Sequence, residues 1–212
     1  MRVRPIAPDL LVDELADLAS ARLADIGSRW LRVAVDGPPP AEPDQWAAAL
    51  VDPLRLRGHP ALHVRAEDFL RPASVRLEFG RTNPDALYEG WLDAAGLRRE
   101  ALDPLGRGGT GRVLPALWNA ATDRSARAEY VSLPPGGVLV VSGAMLLGAG
   151  LPFDLAVHLS MSAAALARRT PGDLAWTLPA YDRYAEQVAP AAFADVVVRL
   201  DDPRHPAVVD AR

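Results

Sequence analysis

The chain predicts a three-layer α/β fold, a mostly parallel five-stranded sheet with helices on both faces. Two observations carry this. Five short runs rich in apolar residues, at 31–36, 61–65, 137–143, 153–159 and 194–199, have the length and composition of strands. Segments with helical spacing lie between them, and strands alternating with helices make a parallel sheet. The run at 137–143 is continuously apolar, as expected of a strand covered on both faces.

Taken in order, residues 8–26 place Leu11, Leu15, Leu18, Leu23 and Ile26 at helical spacing, with Asp9 expected as the N-cap. The strand at 31–36 follows. A helix is expected from about Asp44 to Arg57, bent or broken at Pro53 and ended by Gly58. The second strand, 61–65, runs into Glu67, Asp68 and Phe69. From Leu70 to Gly137 no sheet-core pattern is present. Short helices are expected at 84–91 and 96–102, and 106–111 is a glycine-rich loop. Residues 112–117 and 127–133 have the makings of a small hairpin. Strands at 137–143 and 153–159 lead to a helix at 162–169 that ends in Arg168 and Arg169. A helix at 178–188 and a strand at 194–199 complete the pattern. This divides the chain into an N-terminal helix, 1–29, and a main domain, 30–212, with an insertion or lid over about 70–136.

Composition narrows the function classes. The 212 residues are half hydrophobic, enough for a sizeable core, and the net charge of -4 gives no reason to expect nucleic-acid or membrane partners. With no cysteine there are no disulfides and no thiolate metal sites. No 18-residue apolar run occurs and the N-terminus does not read as a signal peptide, so a cytoplasmic protein is expected. His59, His63, His158 and His205 are scattered without zinc-ligand spacing, and there is no G-x-S-x-G elbow. All 23 basic side chains are arginine, which together with abundant Ala, Pro and Gly suggests GC-rich coding.

The stretch after the first strand is the most informative. Residues 31–36, 37–44 and the helix that follows have the order of a phosphate-binding loop, G-x-x-x-x-G-K-[ST]. Aligned on Gly37, however, Glu42 stands at the second glycine, Pro43 at the lysine and Asp44 at the Ser/Thr. Such a loop cradles phosphate with backbone N–H groups, and Pro38, Pro39, Pro40 and Pro43 have none. Glu42 and Asp44 add negative charge at the helix N-terminus, where phosphate would otherwise sit.

The order and spacing of these landmarks resemble the uridine kinase-like group of P-loop nucleoside kinases, especially divergent actinobacterial members. The resemblance spans about 30–208 and rests on Val33 to Gly37, Glu67-Asp68-Phe69 with Arg71-Pro72 after it, and Tyr88 to Leu105. It continues through Val138 to Gly143, Arg168-Arg169, and Ala194 to Val198 before Asp202-Pro203. It implies a P-loop NTPase fold and ATP with Mg²⁺ as cofactors of an active member. Asp36, Gly37, Asp44 and Ser142 then fall at the cofactor loop and the third-strand metal position, and Asp44 or Glu67 would hold Mg²⁺. Glu67 or Asp68 would serve a nucleoside hydroxyl, Arg168 and Arg169 the phosphates from a lid, and Arg71, Arg81 and Tyr88 the substrate side. Ser142 departs from the aspartate the resemblance expects at the end of the third strand, so both the Walker A and the Walker B positions are degenerate.

The expected function is therefore that of a pseudoenzyme. It would lack ordinary ATP-dependent phosphoryl transfer and have no certain cofactor, and it would bind a small ligand (a nucleoside or phosphometabolite) or a protein partner. The alternative is an active kinase of a nucleoside or small metabolite with arginines replacing the lysine. A homodimer formed through the N-terminal helix is a further expectation. The bland readings stand beside these: Asp44 as a helix cap, Tyr88, Trp91, Trp118 and Tyr130 as core aromatics, and the arginines as solvated surface.

Overall fold

The computed structural model describes residues 2–210. In chain order the elements are β1 (Arg2–Pro5), α1 (Pro8–Ile26), β2 (Trp30–Asp36), α2 (Pro43–Leu56), β3 (Ala61–Arg65), α3 (Ala73–Arg76), α4 (Pro84–Gly90) and α5 (Ala94–Leu97). Four two-residue strands follow: β4 (Arg112–Val113), β5 (Trp118–Asn119), β6 (Arg124–Ser125) and β7 (Val131–Ser132). Then come β8 (Gly137–Gly143), β9 (Leu155–Ser160), α6 (Ala163–Arg169), α7 (Leu178–Gln187), β10 (Val196–Arg199) and β11 (Ala207–Asp210).

The main sheet has seven strands, not the five expected, in the order β1-β11-β10-β9-β2-β8-β3. The five expected strands form its parallel part, β10-β9-β2-β8-β3. The two further strands come from the ends of the chain: β11 pairs antiparallel with β10, and β1 antiparallel with β11, Val3 opposite Val209. Each is four residues long and is defined only by its distant partner, so no local period announces it.

Strand alternation sorts the core into layers. Leu31, Val33 and Val35 of β2, with Val138 and Val140 of β8, face Leu11, Leu15, Leu50 and Leu54 of α1 and α2. Leu139 and Val141 point the other way, against Phe69, Leu97, Leu102 and Leu105 of the middle region. Ala34 and Ala156 meet Tyr184 of α7 on that second face. The buried leucines of α1 thus belong to the main core.

Two helix details differ from expectation. Helix α1 has Ala7 as its N-cap and Pro8 at its first position, because proline's fixed φ suits that place and it has no N–H to leave unpaired. Asp9 lies in the first turn. Helix α2 continues through Pro53 to Leu56, since a proline within the last turn costs only one ladder bond. Gly58 then turns the chain at φ +85. The expected hairpin of 112–117 and 127–133 is present in reduced form, as the β4–β7 pair enclosing β5–β6. Among the described residues no helix is long and apolar enough to cross a membrane.

Candidate functional site

The carboxyl ends of β2, β3, β8 and β9 define the site. The crossover from β8 to β9 passes over β2, which makes the end of β2 a switch point, where open α/β sheets bind ligands. The chain leaves β2 through Gly37, whose added Cβ would lie 2.8 Å from the Leu159 Cβ, so only glycine fits.

Residues 37–44 then fold on themselves. Pro39–Ala41 is a 3₁₀ turn, and Glu42, at the position of the motif's second glycine, takes the left-handed conformation (φ 58, ψ 48). Four of the eight residues are proline. The Gly37 N–H donates to the Gly143 carbonyl (3.0 Å), that of Ala41 to Pro38 (2.8 Å) and that of Glu42 to Pro39 (2.9 Å). This leaves the N–H of Asp44, in the first turn of α2, as the one loop amide without a partner inside the loop or sheet. The loop joins β2 to α2 and has almost no free N–H donors. The Glu42 carboxylate lies 3.9 Å from the Arg169 guanidinium, which also donates to the Leu200 carbonyl (3.3 Å), while Arg168 is exposed.

Asp44 and Ser142 are brought together. The Ser142 hydroxyl donates to the Asp44 carboxylate, and His63 Nε2 lies 2.8 Å from the same hydroxyl oxygen. With its proton given to Asp44, Ser142 accepts there, so His63 donates from Nε2. Burial lowers the His63 pKa, which keeps the ring neutral. This is not a hydrolase triad: the acid holds the serine rather than the histidine, and Ser142 is fully buried. The acid and the hydroxyl have changed places relative to the positions the resemblance implies, and here they are in contact.

Asp36 is wholly buried at the end of β2. It accepts the Leu146 N–H (2.9 Å), His158 Nδ1 (2.7 Å) and the Tyr184 hydroxyl (3.0 Å), so both oxygens are used. Tyr184 in turn accepts the Leu147 N–H (3.1 Å). Burial first, then the Asp36 charge, raises the Tyr184 pKa and keeps the phenol protonated. The sequence reading missed His158 and Tyr184. A signal was present: Asp36 and His158 are polar residues near the ends of two apolar strands, and the β2–β9 register sets them side by side.

The other sequence candidates are spread out. Asp68 is gripped by both Nε and an Nη of Arg65 (3.0 and 2.8 Å), whereas Glu67 is largely exposed, 3.9 Å from Arg65. Arg71 is half-buried and Arg81 exposed. Tyr88 lies under the Arg183 guanidinium (4.5 Å to the ring centroid), which also bonds Asp85 and Glu89. Trp91 packs on Trp176, Trp118 donates to Asp123, and Tyr130 donates to Glu100, so each aromatic has a partner of its own.

A cavity of about 580 Å³ opens beside the loop, between the end of β9, α6, α7 and residues 189–192. Gly37 and Pro38 form one edge, and His158, Tyr181 and Tyr184 border it.

No family model matches the chain, and no curated protein matches it. Solved structures do. A possible uridine kinase from Bacillus stearothermophilus superposes with a TM-score of 0.65 at 19% identity, covering 87% of this chain and 98% of that one. A candidate fructose transport system kinase from Silicibacter sp. TM1040 gives 0.57 at 20% identity, covering 85% and 92%. The YGR205w protein gives 0.59 at 10% identity, covering 97% and 100%. At these identities the likeness is one of fold: a three-layer α/β architecture shared with these proteins.

Proposed function

We propose that this chain is a divergent, uridine kinase-like P-loop protein that has lost ordinary Mg-ATP-dependent phosphoryl transfer and acts by binding a ligand or partner at the carboxyl end of its sheet. The observation that carries this is the state of the loop amides. Of eight residues, four have no N–H and three spend theirs on loop or sheet carbonyls. A hydrogen bond to a charged group contributes about 1.5–3 kcal/mol, so losing several removes the affinity a triphosphate needs. Glu42 places a further negative charge beside the loop. The residues present do not fit ATP. For its magnesium the loop offers the Asp44 carboxylate, which accepts from Ser142, but such an ion is completed by the nucleotide's own phosphate oxygens, which this loop does not hold.

The test is a transfer assay with labelled ATP against a panel of nucleosides and small phosphate acceptors. No product is expected. Steady uridine phosphorylation would refute the proposal. Arg169, 3.9 Å from the loop carboxylate Glu42, favours a second reading, an active kinase of a nucleoside or small metabolite that uses Arg168 or Arg169 on the phosphates. In that case the same assay gives product, and Arg169→Ala abolishes it.

A further inference from the structure

The cavity beside the loop has the size of a small-molecule pocket. Its walls are chiefly apolar, from Met145, Leu159, Met161, Leu166 and the alanines of α7 and the following loop. One buried polar group opens into it. The His158 side chain is 10% exposed, and its Nδ1 is fixed by Asp36. A carboxylate only accepts, so Nδ1 carries the proton, and in that tautomer the lone pair is on Nε2. Among the described residues every fully buried side-chain nitrogen or oxygen has a partner. Among these residues no hydrogen bond uses His158 Nε2, so that atom is reached from the cavity. The Tyr184 hydroxyl beside it is already committed to Asp36 and Leu147.

Charge disfavours the phosphorylated ligands of an ordinary kinase. Asp182 is the charged side chain on the wall, the Asp36 carboxylate lies behind His158, and no arginine lines the space. An anion placed there would meet two negative groups and no guanidinium.

We propose that this cavity binds a small uncharged, largely apolar molecule that donates a hydroxyl hydrogen bond to His158 Nε2. The inference rests on the reading that the protein works by binding at this end of the sheet, and it names the class of ligand. The Asp36–His158 pair acts as a fixed acceptor: the carboxylate sets the tautomer and the ring presents the lone pair. Tyr181, kept a neutral phenol by burial, borders the same space as a second hydroxyl.

The test titrates the full chain with 2-naphthol, 2-methylnaphthalene and 2-naphthyl phosphate and follows the imidazole nitrogens by ¹⁵N NMR. The hydroxyl probe is expected to shift the His158 Nε2 signal and bind about tenfold tighter than the methyl probe, the worth of one hydrogen bond. The phosphate ester is expected to leave the signal unmoved. Equal binding of the first two, tighter binding of the ester, or no binding of any probe at millimolar concentration would overturn the proposal. In His158→Asn the side-chain amide keeps a donor near Nδ1 for Asp36 and deletes Nε2, so the preference for the hydroxyl should vanish. In Tyr181→Phe it should persist, and the reverse pattern would overturn the role of His158. If His158→Asn fails to fold, the wild-type probe comparison still decides. Mg-ATP is titrated into the same preparation. Micromolar binding there would refute the reading that the loop cannot hold ATP, whereas silence with indifferent naphthalene probes would refute only the ligand class.

Discussion

Replacing Asp36 with asparagine swaps one buried oxygen for an amide and removes the charge that three donors share. In the wild-type protein those donors are the Leu146 N–H, His158 Nδ1 and the Tyr184 hydroxyl, at 2.9, 2.7 and 3.0 Å. The asparagine can keep its carbonyl toward His158 and Tyr184, which sets its NH₂ against the Leu146 N–H and loses one bond. Turned the other way, it loses two. At about 1.5–3 kcal/mol for each bond to a charged group, the cost runs from about 2 to about 6 kcal/mol. A typical domain has about 5–15 kcal/mol in total. For a chain of this size each kcal/mol moves the melting midpoint by about 2–4 °C, so a fall of roughly 5–20 °C is expected by calorimetry. A midpoint within about 2 °C of wild type would refute the assignment of Asp36 as the charged hub beneath the loop.

Three further outcomes follow from the same geometry. Asp154 accepts from the backbone N, Nε and an Nη of Arg32 in a partly buried pair, so Asp154→Ala should cost about 2–4 kcal/mol in urea unfolding, far more than an exposed ion pair. Because burial lowers the His63 pKa below its ordinary 6.5, the unfolded chain takes up a proton that the folded one resists; stability should be full above about pH 6.5, fall as pH drops toward the folded value, and fall less in His63→Gln. Writing glycine and lysine back into the loop, Glu42→Gly with Pro43→Lys, leaves Pro38, Pro39 and Pro40 without donors, and calorimetry should still detect no micromolar ATP binding.

The parallel core was legible because its strands carry their own signature: β8 is buried from end to end and apolar except for Ser142, and β2 and β9 nearly so. The edge strands β1 and β11 were not, since four residues such as Arg2–Pro5 become a strand only when the far end of the chain lies beside them. The same distinction divides the site. The loss of loop donors is written in the prolines of 37–44 and needs no fold to be read. Asp44 and Ser142 looked like two independent losses, because only the tertiary fold brings helix α2 to the end of β8 and shows them as an exchanged pair in contact. Asp36 and His158, 122 residues apart, are joined by strand register alone.

The central claim is that the loop from Gly37 to Asp44 stands where a phosphate loop would, without the capacity to hold phosphate. Isothermal calorimetry of the wild-type protein with Mg-ATP tests it most directly. The structure predicts no heat of binding at micromolar to submillimolar nucleotide. A saturable one-to-one isotherm with micromolar affinity would contradict it.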